Sequence, residues 1–244
     1  MESKWEDYEV EVHEAYEQMV WASYEPLEDA FIDFLSYVPW THKHKEVWSP
    51  KLANLLLNIG SIIDSTFRSY LESPTLNTAK DIDNIRSDQR KQDINGFQKV
   101  YDDVYSFSNK EAYFLYTGDK LTSWSDWQKR GKPKWWTNYN KVKHDRFKNR
   151  TEANLENTLN ALSGLFLVCV ILKEVRPYLV DIGIIKWAQR PVVHTGDLKQ
   201  LLEEDEPIKE AFDPIIARSK LFGYIFRSTG GFEKRGFSIF SKKF

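Results

Sequence analysis

The chain contains almost no cysteine: Cys169 is the only one in 244 residues. A single cysteine excludes an internal disulfide and any Cys-x-x-Cys motif. Cys169 lies in the apolar run 165–172, which is typical of a buried core segment and far shorter than the roughly 20 apolar residues that span a bilayer. Because the first residues are acidic and no basic segment precedes an apolar one, we expect no secretory signal and predict a cytoplasmic protein.

The sequence also lacks the motifs of several enzyme classes. Its five histidines show no His-x-x-x-His spacing, so we expect no bound metal ion. It has no glycine-rich phosphate-binding loop and no Gly-x-Ser-x-Gly elbow, which argues against P-loop and dinucleotide-dependent enzymes and against serine hydrolases. We therefore expect no cofactor.

Charge is segregated along the chain, although the formal net charge is only −2. Residues 1–30 hold ten acids and one lysine, whereas residues 129–150 hold nine bases and one acid, a net charge of +8. The tail from Arg218 onward is basic as well. This pattern leaves two interpretations open: the basic stretches attract a polyanion, or they dock the acidic arm of the same chain.

Apolar residues at three- and four-residue spacing, together with 15% aromatic residues, predict a folded and mainly α-helical protein. We predict one helix before Pro26 and a second between Pro26 and Pro39. Ser49 and Pro50 supply an N-cap and a first-turn proline for a third helix that reaches Leu71.

Three further helices follow from the same spacing. They are predicted around 94–104, from Trp135 to or just past His144, and from about Thr151 to about Arg176, where Pro177 ends the last one. Residues 73–92 are polar and are predicted to form a loop with a short helix.

Short β-like runs predict a smaller mixed element. A β-hairpin is predicted near 112–124, with its turn at Thr117-Gly118-Asp119. Three more β-like runs follow residue 180: 182–185, 221–226 and 237–240. We therefore predict a helical bundle domain over 1–180 and a small mixed α/β C-terminal appendage over 181–244.

One stretch, residues 135–150, carries residue types that can perform chemistry. On a helix, Asn140 and His144 lie one turn apart on the same face, with Tyr139 adjacent and Lys143 near. Histidine is the usual general base near neutral pH, and Asn140 could orient its ring or hydrogen-bond a phosphate.

The same stretch offers groups that could contact RNA. Lysine and arginine hold phosphates, and aromatic rings, including that of Tyr139, stack on bases. The remaining candidates are Lys141, Lys143, Arg146, Lys148, Trp135 and Trp136. An alternative interpretation is purely structural: the tryptophans pin a helix to the core, and the lysines are simply solvated.

The segment Tyr139-Asn140-Lys-Val-Lys-His144-Asp145, which enters a long leucine-rich helix, resembles the signature region of HEPN domains (higher eukaryotes and prokaryotes nucleotide-binding). In that family an arginine is followed, after four to six residues, by a histidine, and the first intervening residue is often polar. Asn140 matches the polar position and His144 the histidine, whereas Tyr139 occupies the arginine position. The apolar helix from Ser49 to Leu71 resembles the family's opening core helix, so the resemblance covers roughly residues 27–180.

The resemblance implies an all-α bundle that often forms a homodimer, with two motifs facing each other at one interface. Active members are metal-independent RNases of toxin, abortive-infection or CRISPR-linked defence systems, which makes His144, Asn140 and Tyr139 the catalytic candidates. Other members have lost the motif and serve as binding or dimerisation modules. With Tyr139 in the arginine position, the cation that stabilises the phosphorane is missing.

Two functions therefore remain open. The first is an RNA- or nucleotide-binding protein that can also cleave RNA without a metal ion. The second is a non-catalytic HEPN-derived module that dimerises or docks a protein partner through its acidic N-terminal helix.

Overall fold

A computed structural model of the chain describes residues 3–187 and 215–226, with side chains described from Glu17 onward. Within these ranges the protein is mostly helical and carries a small antiparallel sheet, so the predicted mainly-α class is confirmed. The α-helices are α1 (Ser3–Tyr37), α2 (Pro50–Ser69), α3 (Ile82–Arg86), α4 (Ile94–Phe97), α5 (Asp103–Tyr105), α6 (Lys134–His144), α7 (Leu155–Ile171) and α8 (Arg176–Asp181). A π-helical turn, Gln98–Asp102, joins α4 to α5, which confirms the helix predicted around 94–104.

Helix α1 runs through Pro26, so the break predicted there is wrong. A proline inside a helix removes one backbone hydrogen bond. The Tyr24 hydroxyl donates to Glu28 Oε1 over 2.7 Å, and this buried hydrogen bond joins the helical turns before and after Pro26. Leu27 and Phe31 are buried beside it, and the burial offsets the lost bond. The helix ends at Tyr37, just before Pro39, as the sequence predicts.

Helix α2 begins as predicted. Ser49 Oγ accepts a hydrogen bond from Leu52 N over 3.0 Å, and Pro50 is the first helical residue. The helix ends at Ser69, close to the predicted Leu71.

Helix α7 differs from its prediction at both ends. Asn154 Oδ1 accepts from Asn157 N over 2.9 Å and caps the start, while Arg150–Glu152 form a 3-10 turn instead of helix. Pro177 does not end α7; it lies in the first turn of α8. The Arg176 guanidinium donates to the carbonyl oxygens of Val170 and Ile171, which satisfies carbonyls at the end of α7.

The chain divides into two compact units that both draw on separated segments. One comprises Met1–Ala22, Ala112–Lys120 and Cys169–Phe244, and the other comprises Ser23–Glu111 and Leu121–Val168. Residues 188–214 and 227–244, including the predicted β-like run 237–240, lie outside the described residues. The predicted domain boundary near residue 180 stays a prediction.

The strands in the described ranges form one sheet with the order β2-β1-β5-β4-β3. They are β1 (Ala112–Phe114), β2 (Lys120–Leu121), β3 (Ile185–Trp187), β4 (Ile215–Arg218) and β5 (Phe222–Ile225). Strands β1 and β2 are neighbours, joined by a turn in which Gly118 has a φ of 80°, so the predicted hairpin is confirmed. The hairpin is part of the larger sheet, because Tyr113 pairs with Gly223 and Phe114 with Phe222 of β5.

An aromatic cluster forms the core of the second unit. Its closest ring pairs are Phe67 with Tyr101, whose centroids are 4.4 Å apart, and Trp124 with Trp127, at 4.5 Å. Trp124 Nε1 donates to the carbonyl oxygen of Gly164 in α7 over 3.2 Å. The cluster thus ties α2 and α7 to the segment that precedes α6.

Candidate functional site

Helix α6 has the predicted bounds, and two tryptophans fix its N-terminal end. Trp135 Nε1 donates to Ser123 O over 2.8 Å, and its ring meets Trp124 edge-on with centroids 5.1 Å apart. Trp135 is 2% exposed and Trp136 5%. Burial of this kind does not support the predicted base-stacking role of Trp135 and Trp136, and agrees with the alternative that they pin α6 to the core.

Tyr139, in the arginine position of the HEPN-like signature, is also buried. Its ring packs on Trp136 with centroids 5.1 Å apart and lies directly against Gly60 of α2. With 3% exposure, the side chain fills the contact between α2 and α6. This position is unsuited to the predicted stacking on bases and gives Tyr139 a packing role.

An open cavity of about 730 Å³ runs along α6 beside this contact. We call it the α2–α6 groove. Its lining residues are Asp64, Arg68, Asp93, Ile94, Lys132, Trp136, Thr137, Tyr139, Asn140, Lys141, Lys143, His144 and Asn149. The predicted candidates Asn140, Lys141, Lys143 and His144 are thus brought together, whereas Arg146 and Lys148 are exposed residues that follow the helix.

The predicted pairing of Asn140 with His144 is not formed. Asn140 Nδ2 donates to Trp136 O of its own helix over 3.0 Å, which leaves Oδ1 as its available acceptor. His144 is exposed, and its imidazole makes no hydrogen bond to any residue within 3–187 or 215–226. Nothing in the described part of the chain therefore orients the imidazole.

The cations of the groove differ in their partners. Lys141 Nζ forms an ion pair with Glu152 Oε1 at 2.8 Å. Lys143 Nζ lies 5.5 Å from the centroid of the Tyr139 ring, and neither Lys143 nor Lys132 has an acidic partner among the described side chains. The acidic arm before Glu17 is outside those side chains, so the choice between a polyanion and that arm stays open.

Arg68 is a groove residue that sequence reasoning missed. Its Nε and Nη2 donate to the two carboxylate oxygens of Asp64, over 3.0 and 3.4 Å, and its guanidinium lies 5.5 Å from the centroid of the Phe97 ring. Nη1 has no hydrogen-bond partner among the residues described. The signal was the Asp64–Arg68 pair at i, i+4 spacing near the end of α2.

The described residues contain no group of three or more His, Cys, Asp or Glu side chains that could hold a metal ion. None of the helices that the structure describes is both long enough and apolar enough to cross a membrane.

The chain matches no family model, no curated protein and no solved structure. The similarity to the HEPN signature therefore rests on residues 139–145 and on the apolar helix before them.

Proposed function

We propose that the protein binds RNA, with the sugar-phosphate backbone lying in the α2–α6 groove. The observation that carries this proposal is the convergence of cations from separate segments: Arg68 from α2, Lys132 from the loop before α6, and Lys141 and Lys143 from α6. A groove in which cations outnumber carboxylates concentrates polyanions and holds successive phosphates.

Two carboxylates also line the groove, and each is already engaged. Asp64 holds the Arg68 guanidinium through both oxygens. Asp93 Oδ1 accepts from Asn95 N and Gly96 N at the start of α4, where the helix dipole favours a negative charge. Their engagement leaves Lys132, Lys143 and Nη1 of Arg68 for a ligand.

Neutral polar groups in the groove suit ribose. Asn140 Oδ1 can accept a hydrogen bond, and the exposed Thr137 hydroxyl can donate or accept one. A 2′-hydroxyl is both a donor and an acceptor, and it is the group that separates RNA from DNA. We therefore expect RNA to bind more tightly than DNA of the same sequence.

Fluorescence anisotropy with a labelled single-stranded oligouridine tests the proposal. The logarithm of the affinity should fall linearly with that of the salt concentration, with a slope of about 0.7 per neutralised phosphate. Arg68→Gln and Lys143→Gln should each weaken binding and flatten that slope. Arg90→Gln is the matched control, because Arg90 is 91% exposed and lies outside the groove.

Two results would overturn the proposal. One is the absence of binding even at low salt. The other is an Arg90→Gln variant that loses as much affinity as Arg68→Gln, since the attraction would then be a property of overall charge and not of the groove.

RNA cleavage is a second candidate, favoured by the position of His144 in the groove beside Lys143. In such a reaction a ribose 2′-hydroxyl loses its proton to the imidazole and attacks the adjacent phosphorus. The bond from phosphorus to the 5′-oxygen breaks, that oxygen takes up a proton, and a 2′,3′-cyclic phosphate remains. Because no described residue orients His144, cleavage needs an orienting group from the RNA or from a second copy of the chain.

A further inference from the structure

A tight turn directly after α6 presents one phenylalanine to solvent. The backbone leaves the helix at Asp145, and Asn149 N donates back to Asp145 O over 3.0 Å. Asp145 Oδ1 accepts from Lys148 N over 3.0 Å, and Asn149 Nδ2 donates to Lys141 O over 2.9 Å. Phe147 stands at the tip of this turn and is 86% exposed.

A single exposed apolar side chain is common on protein surfaces and is not by itself a site. Phe147 differs because hydrogen bonds fix the turn that carries it. The hydrogen bonds of Asp145 and Asn149 close the turn beneath it, and Arg150 Nη1 donates to Phe147 O over 3.1 Å. These bonds fix the backbone that carries the ring, so the turn loses little backbone freedom when a ligand covers Phe147.

A second aromatic ring lies on the same surface. The guanidinium of Arg150 lies 5.5 Å from the centroid of the Trp48 ring, and Trp48 is 41% exposed. Arg150 therefore connects the turn of Phe147 to an exposed indole. Aromatic rings interleaved with arginine are the usual surface on which unpaired bases stack.

The positive charge of this surface favours a nucleic acid over a second copy of the chain as its ligand. Arg146 and Lys148 flank Phe147, and neither has an acidic partner among the described side chains. A second copy of the chain, related by a two-fold axis through this turn, would place these cations against their own counterparts. A nucleic acid brings phosphates to the cations and a base to the ring.

The turn is also continuous with the α2–α6 groove. His144, which precedes the turn, and Asn149, which closes it, both line that groove. We propose that Phe147 stacks on an unpaired base of the RNA whose phosphates occupy the groove, with Arg146 and Lys148 contacting the flanking phosphates. This inference rests on the proposed function and names the kind of RNA: single-stranded at the position next to the groove.

Variants of the ring test the inference through their affinity for a labelled single-stranded oligouridine. Phe147→Ala and Phe147→Leu should each lower the affinity roughly 5- to 150-fold, the usual value of one stacked base, whereas Phe147→Tyr should keep it. Tyr37→Ala is the matched control, because Tyr37 is 79% exposed and lies outside the groove. Circular dichroism should show the same thermal unfolding for all four variants, since both rings are exposed.

A ligand that has the sugar-phosphate backbone but no bases separates the contribution of base stacking from that of charge. An abasic oligomer of the same length should bind wild type and Phe147→Ala equally, because it offers phosphates without a base. An oligomer with one 2-aminopurine should change its fluorescence on wild type and not on Phe147→Leu.

The outcomes distinguish this inference from the proposed function. If wild type binds oligouridine and Phe147→Ala and Phe147→Leu bind equally well, the inference is overturned while RNA binding stands. If wild type binds no RNA at low salt, the proposed function fails and the inference with it. If Phe147→Ala instead halves the mass measured by light scattering and leaves RNA affinity unchanged, the ring belongs to an interface between two copies and the inference is also overturned.

Discussion

The ring of Tyr139 lies so close to Gly60 that a Cβ atom on residue 60 would be 2.5 Å from Tyr139 Cδ2. Non-bonded carbon atoms do not approach to that distance, because optimal separations are about 3.5–4.0 Å. Helices α2 and α6 therefore keep their spacing only while residue 60 has no side chain. Since Arg68 lies on α2 and Lys143 on α6, this contact also sets the width of the groove.

Gly60→Ala should destabilise the protein by about 1–3 kcal/mol through overpacking, even though alanine is the better helix former by about 1 kcal/mol. Urea unfolding measures the change in the free energy of unfolding. Ser61→Ala, at an exposed position of the same helix, should change it by less than about 0.5 kcal/mol. Combining Gly60→Ala with Tyr139→Leu should recover part of the loss, and a Gly60→Ala variant more stable than wild type would disprove the contact.

Tyr139→Arg restores the arginine of the HEPN signature, but we expect it to destabilise the protein by about 2–4 kcal/mol. The substitution removes a buried ring from its packing on Gly60 and Trp136 and brings a cation into the helix contact. Tyr139→Phe keeps the ring and should cost less than about 1 kcal/mol. Urea unfolding and an RNA cleavage assay check both variants. If Tyr139→Arg instead keeps full stability and gains RNase activity, the protein is a HEPN module that has lost its catalytic arginine.

His144→Ala separates an enzyme from a binding module. If His144 transfers a proton, the variant should lose about 10²–10⁴-fold in cleavage rate while keeping its fold and its RNA affinity, because the imidazole is exposed and unbonded among the described residues. The assay measures 2′,3′-cyclic phosphate ends in the presence of EDTA. Equal cleavage by wild type and His144→Ala would assign the activity to a contaminant or to another site, and cleavage by neither would favour the non-catalytic module.

Light scattering at micromolar concentration tests the homodimer that the resemblance implies. If the 135–150 segments of two copies face each other, their like charges repel, so the dimer should become stronger as salt rises. RNA binding has the opposite salt dependence, which keeps the two effects separable. A mass of 28.8 kDa at every salt concentration would rule out a composite site made by two copies.

Local sequence signals predicted the elements that local chemistry determines. Ser49 and Pro50 mark the start of α2 because a hydroxyl cap and a first-turn proline act within one helical turn. The turn at Gly118 is local as well, because glycine adopts a positive φ without strain. These features need no knowledge of distant residues.

Tertiary contacts decided the rest. The continuity of α1 through Pro26 goes with the burial of Leu27, Phe31 and Tyr24, and the centroid of the Tyr24 ring lies 6.0 Å from that of Phe166 in α7. The packing role of Tyr139 depends on Gly60, and the place of Arg68 in the groove depends on α2 packing beside α6. Periodicity shows that a face is apolar, but it does not show which residue lies opposite.

The pairing of β1 with β5 has a consequence during synthesis. Tyr113 leaves the ribosome long before its partner Gly223, by roughly 5–20 s at about 5–20 residues per second. During that time the edge of β1 that β5 later covers has unpaired backbone groups, next to the apolar side chains of Ala112, Tyr113 and Phe114. A chain truncated at residue 180 would keep that edge open permanently, and we expect it to aggregate instead of folding as an independent bundle.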